Sequence, residues 1–256
     1  MSSLIPLPDW AFPIWLGMAG AIAGSFLATI VIRWPQGRRV TSGRSACDCC
    51  GKTLRAGALV PLISALALGG RCHDCGARID ARHWQIELGC AAIGALSGYV
   101  APGMAGAAGA MFGWLLLTLA ALDAANLWLP DALTLPLAAV GLCAGASGVA
   151  PGLEDRVIGG IVGFGSLWVI ARAYRLIRKR EGLGGGDAKL FGAIGLWLGW
   201  RLLPAILLFA AMIGLGLALF DYARGHVIAA DTKVPFGAFL AIAAYPAWLM
   251  MISLGA

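Results

Sequence analysis

Long stretches without a charged residue dominate this chain and decide what it can fold into. A helix needs about 20 apolar residues to cross the hydrocarbon core of a bilayer. Uncharged windows of about that length or more occupy residues 10–32, 88–122, 132–153, 202–220 and 234–256. With 60% hydrophobic and only 12% charged residues, the chain does not have the composition of a soluble globular domain. The sequence therefore predicts an all-α, multi-pass membrane protein.

The breaks in these windows set the number of helices. Residues 88–122 are too many for one span and contain Pro102-Gly103, so they predict two helices. Residues 157–171 predict another, because the arginines that follow can snorkel to the interface. Residues 190–200 are short, and predict either a stubby span or a re-entrant half-helix. We expect about eight transmembrane helices, divided into a first helix (1–32), a cytoplasmic module (33–84) and a membrane core (85–256).

The basic residues indicate the orientation. With the N-terminus outside, the inside segments contain every lysine and arginine except Arg156 and Arg201, as expected for cytoplasmic loops. The net charge of +6 then reflects topology and contact with anionic lipid. The basic residues flank the predicted spans without interleaved aromatic residues, which argues against a nucleic-acid partner.

The predicted cytoplasmic module contains two Cys-x-x-Cys pairs, each followed by glycine. The pairs are Cys47 with Cys50 and Cys72 with Cys75. This pattern is typical of a four-thiolate zinc site, and a small loop without a core can gain its fold from the metal. Disulfides or unused thiols are the alternatives, but disulfides are rare on the cytoplasmic side. Cys49 could replace Cys50 as a ligand.

An apolar stretch at residues 58–68 separates the two cysteine pairs. It is too short to span a bilayer and contains Pro61. We expect it to lie in the membrane interface beneath the metal module, and a short, fully buried helix is the alternative.

Three aspartates at the ends of predicted spans are candidates for chemistry. Asp131 and Asp187 each open a helix, where an acid can cap free N–H groups. Asp123 closes a helix, where an acid opposes the dipole. The glycines Gly184, Gly185 and Gly186 before Asp187 are costly for a simple cap, but they would let a substrate backbone approach closely. Acids at membrane depth usually face a cavity and act in the function of the protein.

Together these motifs resemble the type IV prepilin peptidases. The resemblance rests on blocks in family order across nearly the whole chain. They are Gly24-Ser25-Phe26-Leu27, the two cysteine pairs with Gly70-Arg71 before the second, Glu87-Leu88, Asp123 with Leu129-Pro130-Asp131, Gly184-Gly185-Gly186-Asp187-Ala188-Lys189, and Val234-Pro235-Phe236-Gly237. The chain departs from the family at Ala28, usually asparagine, and at Asp48, usually proline. The glycine-Asp block is also similar to the signature of presenilin-type intramembrane proteases.

This resemblance implies a bifunctional enzyme of the bacterial inner membrane. Asp123 and Asp187 would be the catalytic pair that cuts the leader from prepilins or pseudopilins after a glycine. The new N-terminus would then be methylated with S-adenosylmethionine. Residues 184–186 and Lys189 form the expected substrate loop. Glu87, beside the metal module, is a candidate for binding the cofactor.

Three alternatives remain open from the sequence. A protease without methyltransferase activity would have the same acids. A membrane scaffold that recruits a partner through its metal loop would not need an acid pair. A proton-relaying transporter would use the acids but predicts inverted repeats, and no convincing internal symmetry is present in the sequence.

Overall fold

The computed structural model describes residues 8–40, 45–54, 56–180, 182–225 and 233–255. Within these residues the regular elements are helices, and the only β-pairing consists of two isolated bridges. Two 3-10 helices cover Trp34–Gln36 and Ala56–Leu59. The α-helices are α1 (Ala11–Arg33), α2 (Ile63–Ala67), α3 (Ala81–Val100), α4 (Met104–Asn126), α5 (Asp131–Ala146), α6 (Leu153–Arg178), α7 (Gly185–Leu198), α8 (Leu203–Ala223) and α9 (Phe236–Ser253).

The predicted all-helical, multi-pass architecture is confirmed, whereas the number of spans is not. In the described part of the chain, α1, α4, α6, α8 and α9 are long and apolar enough to cross a membrane. The predicted break at Pro102 is confirmed, because α3 ends at Val100 and α4 begins at Met104. With 14 residues, α7 is about 21 Å long, which is shorter than the hydrocarbon core.

Packing divides the chain into two units, residues 1–114 and 115–256. The division expected from the sequence, 1–32, 33–84 and 85–256, stays a prediction. Within the first unit α3 packs against α1, because glycines on both helices allow close approach. A Cβ atom added at Gly20 would lie 2.2 Å from the Cys90 carbonyl oxygen, and one at Gly94 would lie 2.1 Å from that of Leu16. Small residues at this spacing are typical of packed membrane helices.

The apolar stretch between the cysteine pairs forms a 3-10 turn followed by α2. No residue of α2 is buried, and Ile63 and Leu66 are 64% and 84% exposed. The buried-helix alternative is therefore wrong. An exposed apolar surface fits the predicted contact with the membrane interface.

The second unit is built around α7, of which ten of 14 residues are buried. Glycines again set the packing: a Cβ at Gly195 would lie 2.1 Å from the Gly159 carbonyl oxygen of α6. Buried on most sides, α7 holds its first turn in a fixed position. The other face of α6 exposes apolar side chains such as Ile161 and Trp168, as expected for contact with lipid.

Arg156, one of the two basic residues expected on the outside, is fully buried in the second unit. Its guanidinium donates hydrogen bonds to carbonyl oxygens and to no carboxylate among the described residues. The acceptors are Gly141, Val149, Ala150, Pro151 and Leu196. A buried cation is tolerated only when its donors are satisfied. Arg156 therefore ties α5, α6 and α7 together.

Candidate active site and metal centre

Asp123 lies in the last turn of α4 and is only 5% exposed. Its Oδ2 accepts a hydrogen bond of 2.8 Å from the backbone N–H of Ala238, in the first turn of α9. From the sequence no capping role is expected for Asp123, because it closes its own helix. In the structure its carboxylate satisfies a free N–H at the start of another helix, where the dipole favours negative charge.

Asp187 is the third residue of α7 and is 8% exposed. Its Oδ2 accepts a hydrogen bond of 3.2 Å from the backbone N–H of Gly184. The capping role considered for Asp187 is therefore present in the structure. Capping alone does not explain the site, because capping does not require the two carboxylates to lie close together.

The two carboxylates meet at Gly237, the second residue of α9. A Cβ atom added at Gly237 would lie 3.0 Å from Asp123 Oδ2 and 3.1 Å from Asp187 Oδ1. The distance between Asp123 Oδ2 and Asp187 Oδ1 therefore cannot exceed the sum of these two distances. Any side chain at this position would occupy the space between the acids.

Such a pair can perform acid–base chemistry. Two buried carboxylates this close cannot both ionise cheaply, so they hold one proton between them. One member can then accept a proton from water while the other donates a proton to a carbonyl oxygen. The structure brings the two predicted acids together, and their catalytic role stays a prediction.

The glycine run leads into α7, and its expected role as a substrate loop stays a prediction. Gly184 precedes α7, and Gly185 and Gly186 are its first two residues. A Cβ at Gly186 would lie 3.0 Å from the Cβ of Leu129, whereas one at Gly185 would meet nothing within 4 Å. The absence of a side chain at Gly186 thus makes room for Leu129, whereas the space beside Gly185 is open.

Asp131 and Lys189 form an ion pair that the sequence did not predict. The Lys189 ammonium donates to both carboxylate oxygens of Asp131 at 2.8 Å. Asp131 is the first residue of α5, where its negative charge complements the helix dipole as expected. Both side chains are about half exposed, and such pairs contribute little to stability.

Leu129, Gly237 and Ala238 were not assigned a function from the sequence. Leu129 Cδ1 would lie 2.6 Å from a Cβ on Gly237, so Leu129 borders the carboxylate pair. The motifs Leu129-Pro130 and Val234-Pro235-Phe236-Gly237 had been recognised as part of the family resemblance. A motif shows that residues belong together, but not which atoms they contact.

The two cysteine pairs of the first unit have the same backbone geometry. The N–H of Cys47 donates to the carbonyl of Lys52, and the N–H of Cys72 donates to that of Ala77, both at 2.9 Å. The glycine after each pair, Gly51 or Gly76, has φ near +70°. This left-handed conformation favours glycine, which explains why a glycine follows each cysteine pair.

The sulfur atoms of Cys47, Cys50, Cys72 and Cys75 lie within 4.8 Å of one another. This group excludes Cys49. The sulfurs of Cys47 and Cys75 are 3.8 Å apart, close to the roughly 3.8 Å between two thiolates that each lie 2.3 Å from a tetrahedral zinc ion. The cluster could therefore hold a metal ion.

The thiols of the cluster differ in acidity. Backbone N–H groups of Cys50 and Cys49 lower the pKa of Cys47 to about 7, which favours the thiolate that binds metals. At Cys75 the N–H of Ala77 lowers the pKa, but burial and the neighbouring thiols outweigh it and raise the pKa to about 12. A metal ion bound by the cluster would favour the thiolate form of Cys75.

Glu87 lies outside the metal cluster and is 4% exposed. Its Oε2 accepts a 2.9 Å hydrogen bond from the backbone N–H of Leu62, and its Oε1 lies 3.2 Å from Nδ1 of His83. Leu62 has φ of +61°, unusual for a residue other than glycine. Glu87 therefore fixes the apolar stretch to α3.

Two family models match the chain. Residues 110–219 match the type IV leader peptidase family, and residues 18–100 match the bacterial peptidase A24 N-terminal domain. The first range contains Asp123 and Asp187. The second contains the four cysteines and Glu87.

Curated relatives carry the name prepilin leader peptidase/N-methyltransferase. The chain is 45% identical to one from Burkholderia pseudomallei (strain 1026b), over 77% of this chain and 64% of the relative. It is 36% identical to one from Pseudomonas aeruginosa, over 96% of this chain and 94% of the relative. One from Stutzerimonas stutzeri is 39% identical over 80% and 71%. The chain thus spans less than two thirds of the Burkholderia relative, and no solved structure matches it.

Proposed function

We propose that this chain, which belongs to the type IV leader peptidase family, is an aspartyl endopeptidase of the bacterial inner membrane. Its substrates would be prepilins or pseudopilins, cut after the glycine that ends the leader. The observation that carries this proposal is the convergence of two buried carboxylates, Asp123 and Asp187, on Gly237.

Hydrolysis follows from the shared proton. The ionised member of the pair takes a proton from a water molecule, whose oxygen attacks the carbonyl carbon of the scissile bond. The protonated member donates to the carbonyl oxygen. When the tetrahedral intermediate collapses, the C–N bond breaks and the nitrogen leaves with a proton returned through the pair. The products are a leader ending in a carboxylate and a pilin with a free amine.

The backbone around the pair supports this chemistry. N–H groups of Ala238 and Gly184 hold one oxygen of each acid, so the remaining oxygens have fixed directions. A pair held in place before the substrate arrives needs little reorganisation during the reaction. Gly237 leaves the space between the acids free for water and the scissile bond.

We further propose that the new N-terminus is methylated. S-adenosylmethionine would supply a methyl group to the free amine, which loses a proton as the methyl–sulfur bond breaks and S-adenosylhomocysteine leaves. The relatives' names support this second activity. Neither carboxylate of the pair is required for it, because the substrate amine is itself the nucleophile.

The metal ion would be structural zinc. Cys47, Cys50, Cys72 and Cys75 are a closed set of four thiols, which is typical of structural sites, whereas catalytic zinc keeps an open position. Bound there, zinc would hold the two cysteine turns together. No step of the hydrolysis above requires it.

The decisive test replaces each acid by its amide in the purified, membrane-inserted protein. Asp123→Asn and Asp187→Asn should each lower cleavage of a prepilin by at least about 1,000-fold, because an amide cannot exchange the shared proton. Mass spectrometry of the product measures cleavage. Full cleavage by either folded variant would refute the carboxylate pair.

The same variants separate the two activities. Given an already cleaved pilin and labelled S-adenosylmethionine, both should still methylate its N-terminus. Wild-type cleavage without methylation would instead support the alternative of a protease without methyltransferase activity. Wild-type protein that performs neither reaction, while still required for assembly, would favour the scaffold.

A further inference from the structure

An apolar groove lies along one side of α7 in the second unit. Its walls are α5 and α6, its floor is α7, and its volume is about 600 Å³, within the usual range for a ligand site. We propose that this groove docks an apolar helix of the substrate, the segment that follows the cut bond. The inference rests on the peptidase activity proposed above.

The groove is open because its floor and one wall lack side chains. Gly160, Gly165 and Gly192 line it, and a Cβ atom added at Gly165 would meet nothing within 4 Å. Small residues let helices approach closely in a membrane. The exposed side chains of Leu135 on α5 and Ile161 on α6 flank the opening. Apolar grooves of this shape receive apolar helices, and a helix satisfies its own backbone hydrogen bonds at membrane depth.

The groove also has the length and direction of a short helical segment. Along α5 it extends from Asp131 to Leu142, which is about 16 Å, or three helical turns. Both α5 and α7 begin at the end marked by Asp131 and Lys189, the same end of α7 that carries Asp187. A helix bound in the groove would therefore begin near the acids and run towards Leu196.

The start of α7 provides a route from the groove to the acids. Asp187 and Lys189 are two residues apart, about 200° around the helix, so the acids and the groove lie on opposite sides of α7. The substrate must cross the first turn, where Gly184 and Gly185 are exposed and a Cβ at Gly185 would meet nothing within 4 Å. Crossing a helix about 10 Å wide takes about three extended residues. The cut bond would thus lie about three residues before the apolar helix.

The charges at the entrance fit a peptide helix better than a lipid tail. Asp131 and Lys189 line this end of the groove and are about half exposed. The first turn of a helix has N–H groups without a partner inside the helix, and its dipole favours a negative charge there. The Asp131 carboxylate supplies that charge where the bound helix would begin. A hydrocarbon chain has no group that could use it.

Filling the groove tests the proposal. Gly165→Leu adds a side chain where the Cβ has no neighbour, and should raise the KM for a full-length prepilin at least tenfold with little change in kcat. Gly216→Leu on α8, where a Cβ also meets nothing within 4 Å, is the matched control and should cleave like wild type. An unchanged KM in folded Gly165→Leu protein would overturn the groove.

A truncated substrate separates this proposal from the peptidase activity itself. A peptide that contains the leader and ends four residues after the cut lacks the apolar helix. Wild type and Gly165→Leu should cut it at equal rates, because it does not enter the groove. Equal slowing of Gly165→Leu on both substrates would overturn the groove. Wild-type protein that cuts neither substrate would refute the peptidase activity.

A photoreactive side chain locates the bound helix independently of these kinetics. Placed at Ile161 in Asp187→Asn, which should bind prepilin without cutting it, the probe should crosslink to prepilin residues after the cut. The same probe at Leu208, an exposed position of α8 outside the groove, should not. Crosslinks from Ile161 to phospholipid alone would identify a lipid groove and overturn the proposal.

Discussion

The carboxylate pair and the cysteine cluster each bring together residues that are far apart in sequence, but the two sites are held in place in different ways. The acids depend on close helix packing: α7 is buried, and Gly186 and Gly237 admit neighbours that a side chain would exclude. The cysteines lie on short turns with few buried residues, and their backbone pattern is repeated almost identically in both turns. The first site is a product of packing, whereas the second is a local motif completed by a cation.

This difference predicts how each site fails. A site fixed by packing should be sensitive to added volume and insensitive to chelators. A site fixed by a metal should be sensitive to chelators, and loss of the metal should disturb only the residues around it. The following predictions test this contrast, from the largest expected effect to the smallest.

Gly237→Ala should have the largest effect. The new Cβ would lie 2.6 Å from Leu129 Cδ1 and about 3 Å from both acids, so it would displace one of them. Misplacement of catalytic groups by about 1 Å can cost roughly 100-fold in rate, and we expect at least that loss in kcat/KM for prepilin cleavage. Gly216→Ala, on α8 where a Cβ meets nothing within 4 Å, is the control and should cleave normally.

Cys72→Ser should remove the metal and loosen the first unit. Elemental analysis should show about one zinc per wild-type chain and almost none in the variant. Limited proteolysis should become faster between residues 45 and 80, while residues 115–255 stay protected. Cys49→Ser is the matched control and should retain zinc. Wild-type protein without any metal, purified without chelator, would contradict the site.

Leu129→Ala should change specificity more than rate. The Leu129 side chain lies against Gly186 and Gly237, next to the two acids. We expect it to exclude a side chain on the substrate residue that precedes the cut bond. Removing three carbons should allow alanine there. We expect the ratio of alanine to glycine cleavage to rise about tenfold, as one methylene is worth about 10- to 200-fold in a fitted pocket. An unchanged ratio in competition assays would show that other residues exclude alanine.

Asp131→Asn should have the smallest effect. Its ion pair with Lys189 is half exposed, and such pairs contribute about 0–1 kcal/mol. Cleavage should therefore change by less than about fivefold. Lys189→Met removes the same ion pair by changing its other partner, and should change cleavage by a similar amount. A much larger loss in Lys189→Met alone would support the predicted contact between Lys189 and the substrate.

Much of the architecture could be predicted because membrane spans leave a local record in the sequence. The break at Pro102, the helix start at Asp131 and the end of α4 just after Asp123 all agree with the structure. The number of spans could not be predicted from apolar length alone, because α7 is short and buried by other helices. Nor could the burial of Arg156 be predicted, because its partners are carbonyl oxygens from three separate segments.

By itself, the sequence determined the helical membrane class and the spacing of the two cysteine pairs, and the family resemblance pointed to Asp123 and Asp187 as the acids. The membrane class and the cysteine spacing depend on composition and on short-range patterns, which act within a few residues. Only the tertiary structure decided that Asp123 binds the start of α9, that Gly237 separates the acids, and that Cys50 and not Cys49 completes the cluster. Those facts depend on contacts between segments distant in sequence, where close packing and unsatisfied helix ends select the partners.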